Sequence, residues 1–223
     1  MFQYPCLIIN FKNYASTIGK AGLQLAKLIE KKSKQYKVPI ILAVNPLSLA
    51  HIADEVSLPV ISQTVDHVSV GAKTGAILPE SVAFAGGIGS LVNHSENQVD
   101  KESIHLYINA CKRAFIDSLV CVDSLEDALY VQSCNPSAIC YEPHELIGGD
   151  VSVAQGKQEL VRQIGQEISL PLFIGAGIKT REDVMKSLAL GAEGVLVASA
   201  VCKSPDPAAV LDELLQGFVE FNQ

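Results

Sequence analysis

Eight short, continuously apolar runs, each followed by a stretch with helical periodicity or a short helical segment, constrain this chain more than any other feature. The runs are Cys6–Phe11, Val38–Asn45, Leu58–Gln63, Ile88–Asn93, Ser118–Val122, Ala138–Glu142, Leu170–Ile174 and Gly194–Ala198. They do not alternate polar with apolar residues, so both faces of each strand must be covered, as in parallel sheets flanked by helices. Between them, Ile18, Ala21, Leu25, Leu28 and Ile29 mark a helix face that ends in the basic cluster Lys31, Lys32 and Lys34. Leu160, Val161, Ile164 and Ile168 mark another, and Val210, Leu211, Leu214 and Phe218 a last one starting near Pro205. A short helix is expected from Pro79, and Thr180-x-x-Asp183 has the form of a capping box. Strict βα alternation permits an open doubly wound sheet or a closed barrel. Eight units in 223 residues, with no linker and no shift in composition, favour a single (β/α)8 barrel over 1–223, a little below the roughly 250 residues usual for that fold.

Composition narrows the partners. The chain is 48% hydrophobic and 18% charged, with a formal net charge of −7. A diffuse acidic surface argues against nucleic acid and acidic membranes, so an anionic ligand would need a locally positive site. The opening MFQYPCLIINFKNY lacks the basic start and long apolar stretch of a signal peptide, and no apolar run reaches membrane-spanning length. The expected location is the cytoplasm. None of the six cysteines forms a C-x-x-C pair, and several lie in apolar runs, which points to buried, reduced thiols rather than disulfides or a metal site.

In a (β/α)8 barrel the chemistry sits at the C-terminal ends of the strands. The first run ends in Asn10 and Lys12, the fourth in Asn93, His94, Ser95 and Glu96, and the sixth in Glu142 just before Pro143. The seventh and eighth end in the small-residue turns Gly175-Ala176-Gly177 and Ala198-Ser199, which leave backbone amides uncovered for an anion. Each residue has an ordinary reading by itself: a solvated lysine, a structural histidine, a helix start at Ser95 and Glu96, a solvent-facing carboxylate, an ordinary connection. Together they make one site of a cation, an imidazole, a carboxylate and an anion nest. A carboxylate closing an apolar run is the most telling, because burial there is costly without a partner or an open mouth.

These motifs resemble the triosephosphate isomerase family. N-F-K at 10–12, N-H-S-E-N at 93–97, Y-E-P-H-E-L-I-G-G at 141–149, G-A-G-I at 175–178 and G-V-L-V-A-S at 194–199 stand in the family's order and at similar spacing. The likeness is greatest to the short archaeal branch, which has trimmed helices, an E-P-x-E-L-I-G loop, and A-S where other members have two glycines. The resemblance implies interconversion of D-glyceraldehyde 3-phosphate and dihydroxyacetone phosphate through an enediolate, in glycolysis and gluconeogenesis, with no cofactor and no metal. It implies that Glu142 is the base, His94 a neutral electrophile and Lys12 the cation for enediolate and phosphate, a division of labour well described for this family. Asn10 would bond substrate or orient Lys12, and Glu96 would be a buried carboxylate near Lys12. Ile147, Gly148, Gly177, Ala198 and Ser199 would present amides to the phosphate. Segment 143–149 would be a closing lid, and the loop around Thr74 and Gly75 would enter a neighbour's site in a homodimer or homotetramer.

The chain departs from the family in places. Its lid lacks the tryptophan many members carry, Gln98 stands where arginine is common, and Lys179 follows the seventh-strand turn. Two other readings compete: a non-catalytic barrel that binds a phosphorylated ligand, and an isomerase of a phosphoribosyl amine. The first has no need for Glu142, His94 and Lys12 together. The second fits the small-residue turns but not N-F-K or Y-E-P.

Overall fold

The computed structural model describes residues 3–144 and 152–221. Eight strands, β1 (Cys6–Asn10), β2 (Ile40–Val44), β3 (Val60–Ser62), β4 (Gly89–Val92), β5 (Asp117–Val122), β6 (Ala138–Tyr141), β7 (Leu172–Gly175) and β8 (Gly194–Val197), follow the eight apolar runs. They close into a parallel barrel in sequence order, with Leu7 opposite Ile40 at the β1–β2 seam and Cys6 opposite Gly194 where β8 returns to β1. Most runs overshoot their strands by a residue or more. Phe11, Asn93, Glu142 and Ala198 each follow the last residue of a strand, at the mouth of the barrel.

Successive side chains on a strand point to opposite faces, and here the two faces are two cores. Cys6, Ile8, Ile41, Ala43, Leu91, Leu119, Cys140, Phe173 and Leu196 fill the barrel. Their neighbours Leu7, Ile9, Ile40, Leu42, Val120, Ile139, Ile174 and Val195 face the helices. Packing inside the ring is complementary: a Cβ on Gly194 would lie 2.8 Å from the Phe173 ring and 2.1 Å from the Cys6 carbonyl oxygen, so this glycine gives Phe173 its space.

The helices are α1 (Gly19–Tyr36), α2 (Pro46–Glu55), α3 (Pro79–Phe84), α4 (Ile104–Arg113), α5 (Leu125–Ser133), α6 (Val153–Gly156), α7 (Gln158–Glu167), α8 (Arg181–Ala189), α9 (Ser199–Cys202) and α10 (Pro207–Phe221). Their apolar stripes, including Ile29, Leu49, Ile108, Val131, Ile164, Leu188 and Phe218, bury the outer faces of the strands. Their starts are locally encoded. Asn45 accepts the Leu47 amide ahead of α2, Ser124 accepts the Asp127 amide at α5, and Thr180 and Asp183 form the expected capping box at α8. All six cysteines are free thiols, and five of them are buried.

Candidate active site

The two-residue period that fills the barrel also delivers the polar groups to its mouth. Continuing the inward series Cys6, Ile8 gives Asn10; Ala138, Cys140 gives Glu142; Phe173 gives Gly175; Leu196 gives Ala198. Asn10 is 3% exposed, His94 6% and Glu142 7%, so three polar side chains lie buried where the apolar core stops.

Lys12 has left-handed backbone, with φ of 47°. A side-chain-bearing residue held there costs on the order of 1–3 kcal/mol, so the surroundings must impose it. Asn10 Oδ1 accepts the Lys12 amide at 3.0 Å, and Gln63 Nε2 donates to the Lys12 carbonyl at 3.0 Å and to Asn10 Oδ1 at 3.3 Å. The ammonium reaches Glu96 Oε1 at 2.7 Å. Glu96 is therefore beside Lys12 as expected, but its side chain is 59% exposed rather than buried. It borders an open cavity of about 720 Å3 shared with Gln63, Gly75 and Asn97.

His94 does not stand at a helix start. Ser95 and Glu96 form a turn, closed by the Asn97 amide donating to the His94 carbonyl at 2.7 Å. One peptide of that turn faces the ring: the Glu96 N–H donates to His94 Nδ1 at 3.1 Å. That bond requires an unprotonated Nδ1 and so places the proton of the neutral ring on Nε2. Burial, followed by the Lys12 charge, lowers the His94 pKa to about 4.

Nε2 faces Glu142, whose Oε2 lies 3.8 Å away. Burial raises the Glu142 pKa to about 7, against the opposing pull of a Cys121 hydrogen bond and the Lys12 charge. Oε2 is buried and has no hydrogen-bond partner. Such a lone pair costs about 1–3 kcal/mol or more in an ordinary core, so the fold bears a cost here that ordinary packing would avoid. Its rotamer is confined by β7: a Cβ on Gly175 would lie 2.7 Å from both Cγ and Oε1 of Glu142.

The turn after β7 is left-handed at two successive residues, Ala176 (φ 70°) and Gly177 (φ 73°). With Ala198, Ser199, Lys12 and Glu142 it lines a cavity of about 270 Å3, whose rim also carries Lys179 and Lys203. Lys12, Glu142, Gly177, Ala198 and Ser199 thus border one space, and His94 and Asn10 border the adjoining one. Ile147, Gly148 and most of the expected lid lie outside the described residues. Gln98, in place of an arginine, has its Nε2 3.0 Å from Nε2 of His144, which also reaches Asp123 at 3.2 Å. Among the described residues no three His, Cys, Asp or Glu side chains are grouped as a metal-binding set.

A family model described as triosephosphate isomerase matches residues 5–214. This chain belongs to the triosephosphate isomerase family. It is an isomerase that interconverts D-glyceraldehyde 3-phosphate and dihydroxyacetone phosphate, the reaction of glycolysis and gluconeogenesis from which the family takes its name. It is 42% identical to the triosephosphate isomerase of Saccharolobus solfataricus, over 95% of each chain. It is 41% identical to that of Thermoplasma volcanium, over 94% of this chain and 99% of that one. The solved structure of the Bartonella henselae triosephosphate isomerase aligns with a TM-score of 0.68 at 16% identity, over 99% of this chain and 100% of that one, so the barrel persists where sequence has diverged.

Sequence reasoning missed Gln63 and Cys121 as members of the candidate site. Gln63 ends the third run and had a signal of position. Cys121 reads as an ordinary core residue, and only its contact with Glu142 gives it a part. Gly175 was read as part of the anion turn, and its confinement of the Glu142 side chain was not foreseen.

Proposed function

We propose that Glu142 is the base that removes the proton from the carbon beside the substrate carbonyl. His94 donates through Nε2–H to the carbonyl oxygen and shuttles protons between the two oxygens. Lys12 supplies positive charge to the enediolate and the phosphate, with Asn10 and Gln63 fixing its backbone and Glu96 its ammonium. The phosphate sits at Gly177, Ala198 and Ser199, with Ile147 and Gly148 completing its amides.

The observation that carries this reading is the unpaired Oε2 of Glu142 opposite Nε2 of His94, beside the Lys12 cavity. A carbon acid next to a carbonyl is weak, so its deprotonation requires a base in the right ionisation state and electrostatic support for the anion formed. A base near pKa 7 is half ionised at neutral pH and strong enough to take a carbon-bound proton. A neutral imidazole matches the proton affinity of the enediolate better than an imidazolium does. The test is a coupled isomerase assay without added metal or cofactor, on the native chain and on Glu142→Gln. A loss of about 10²–10⁴-fold or more in kcat with the fold intact is expected, the scale of general-base catalysis. Near-normal turnover would remove Glu142 as the base.

The same reading treats 1–223 as one catalytic domain working in the cytoplasm as a homodimer or homotetramer. No helix among the described residues is long and apolar enough to cross a membrane. Self-association through the 64–78 loop, with Thr74 entering a neighbour's site, accounts for three exposed features near that loop. Leu47 is 96% exposed, Val70 73%, and the Glu96 partner of Lys12 stands open.

A further inference from the structure

Asp183 occupies the third position of α8 and is 2% exposed. Its Oδ2 does what a capping box requires, accepting the Thr180 amide and the Thr180 hydroxyl at 3.0 Å each, and it accepts the Lys179 amide at 3.0 Å as well. Its Oδ1 does something the cap does not require. It accepts the Ser152 hydroxyl at 2.5 Å and Gln155 Nε2 at 2.8 Å, both from the stretch of chain that leads into and forms α6. Ser152 is itself 1% exposed. Two elements far apart in sequence therefore share one buried carboxylate.

Those elements meet at the anion turn. The Val153 amide donates to the Ala176 carbonyl at 3.1 Å, so the turn after β7 is held at its start by α6 and at its end, Lys179 and Thr180, by Asp183. Gly177 and Ile178 lie between these anchors; Ala176 and Gly177 are both left-handed, with Gly177 on the cavity wall beside Ala198 and Ser199. A non-glycine residue in that conformation relaxes unless its flanks are fixed. Burial of the Asp183 carboxyl works against its charge. The hydrogen bonds from Ser152, Lys179 and Thr180 outweigh that cost and hold its pKa below the usual carboxylate range.

We propose that Asp183 is a positioning residue for phosphate recognition, clamping the 176–180 turn between α6 and α8 so that its amides stay aimed at the dianion. The inference rests on the phosphate lying at Gly177, Ala198 and Ser199. It predicts a defect specific to the phosphate part of the substrate, since the carboxylate lies outside both cavities that hold the reacting groups.

The experiment compares the native enzyme with Ser152→Ala, which deletes one clamp bond and leaves the α8 cap whole, and with Asp183→Asn. Each is assayed on glyceraldehyde 3-phosphate, on phosphate-free glyceraldehyde, and on glyceraldehyde with added phosphite dianion, and each is melted thermally. For Ser152→Ala the expected result is a roughly tenfold loss of kcat/KM on the phosphorylated substrate, mostly in KM, the scale of one lost hydrogen bond to a charged group. Phosphite activation should fall by the same factor, while turnover of glyceraldehyde alone stays within about twofold and the melting temperature falls by only several degrees. Asp183→Asn should repeat the phosphate-specific loss and also melt earlier, because its single carbonyl oxygen cannot accept on both the cap side and the α6 side. Equal losses with and without phosphate, or no loss on either substrate in Ser152→Ala, would overturn the inference. Lys12→Met separates the two layers. If it leaves phosphite activation intact, the placement of the phosphate fails and the clamp with it. If it abolishes activation while Ser152→Ala retains it, the placement stands and the clamp alone fails.

Discussion

Oε2 of Glu142 and Nε2 of His94 face each other across 3.8 Å, too far apart to bond and near enough to serve one small substrate between them. Each is held in its neutral-leaning state by the same burial, which raises the carboxyl pKa to about 7 and lowers the imidazole pKa to about 4. In the roles proposed for them, the pair is a base that ionises near neutrality and a donor that does not charge there.

The first consequence is a pH–rate profile with one acidic limb. The kcat/KM of the free enzyme should fall tenfold per pH unit below about pH 7, as Glu142 binds a proton, with no second break until His94 protonates near pH 4. Initial rates in overlapping buffers measure this. A limb at the ordinary carboxylate position, near pH 4.5, would show that Glu142 is not shielded in the working enzyme.

Stability should carry the same signature with a defined sign. Between pH 4.5 and about 7 folded Glu142 holds a proton that the unfolded chain has released, so its contribution to stability falls as pH rises. His94 acts in the opposite sense. Unfolded, it binds a proton below its ordinary pKa of 6.5 while folded it does not until about 4, so its contribution rises with pH across that window. Where the two windows overlap they cancel. Glu142→Gln removes one of them, so this variant should be the more stable protein above pH 7, by up to about 3 kcal/mol, and should lose that advantage by pH 4.5. Chemical denaturation of both proteins across pH reads the difference directly. A variant equally or less stable at pH 8 would contradict a buried, poorly compensated carboxylate.

Gly175→Ala tests how tightly that carboxylate is seated. The new methyl would stand 2.7 Å from Glu142 Cγ and Oε1, so the side chain must swing or the strand must move. A displacement of about 1 Å at a reacting group costs on the order of 10²-fold, so kcat should drop by about that factor with a smaller change in KM. Full activity in this variant would mean that Glu142 works from a different rotamer.

Leu47→Asp addresses association. The side chain is 96% exposed in the single chain and borders the cavity that contains Gly75, His94 and Glu96. If a second copy covers it, a buried charge there should shift light-scattering mass toward the monomer and lower kcat/KM together, while the circular dichroism of the subunit stays unchanged. An oligomer of unaltered mass would move the interface elsewhere.

Much of this site was legible at strand ends. Asn10, Lys12, His94 and Glu142 stand out because each follows an apolar run at the point where a buried strand must surface, and a polar residue there needs a reason. The small residues of 175–177 and 198–199 were legible for the complementary reason, since backbone amides reach a ligand only where side chains are missing. Glu96 was placed correctly beside Lys12 but taken to be buried, because a sequence says which charges approach one another and not what lies over them.

Read from the amino acids alone, the repeating unit is clear: eight apolar strands, their helices with encoded starts, and, through the period of two, the inward residues at the ends of β1, β6, β7 and β8, whereas left-handed Asn93 breaks that period ahead of His94. Ring closure decided the rest. Glu142 meets Gly175 and Cys121, Lys12 meets Glu96 and Gln63, and Ser152 meets Asp183, only because curvature and register bring separate units to one mouth. The neutral state of His94 is likewise tertiary. It depends on burial, on Lys12, and on one peptide N–H turned toward Nδ1 by a bend that local propensity had marked as a helix start. Local rules act over three or four residues, while a pKa or a rotamer is set by whatever the closed barrel places within a few ångströms.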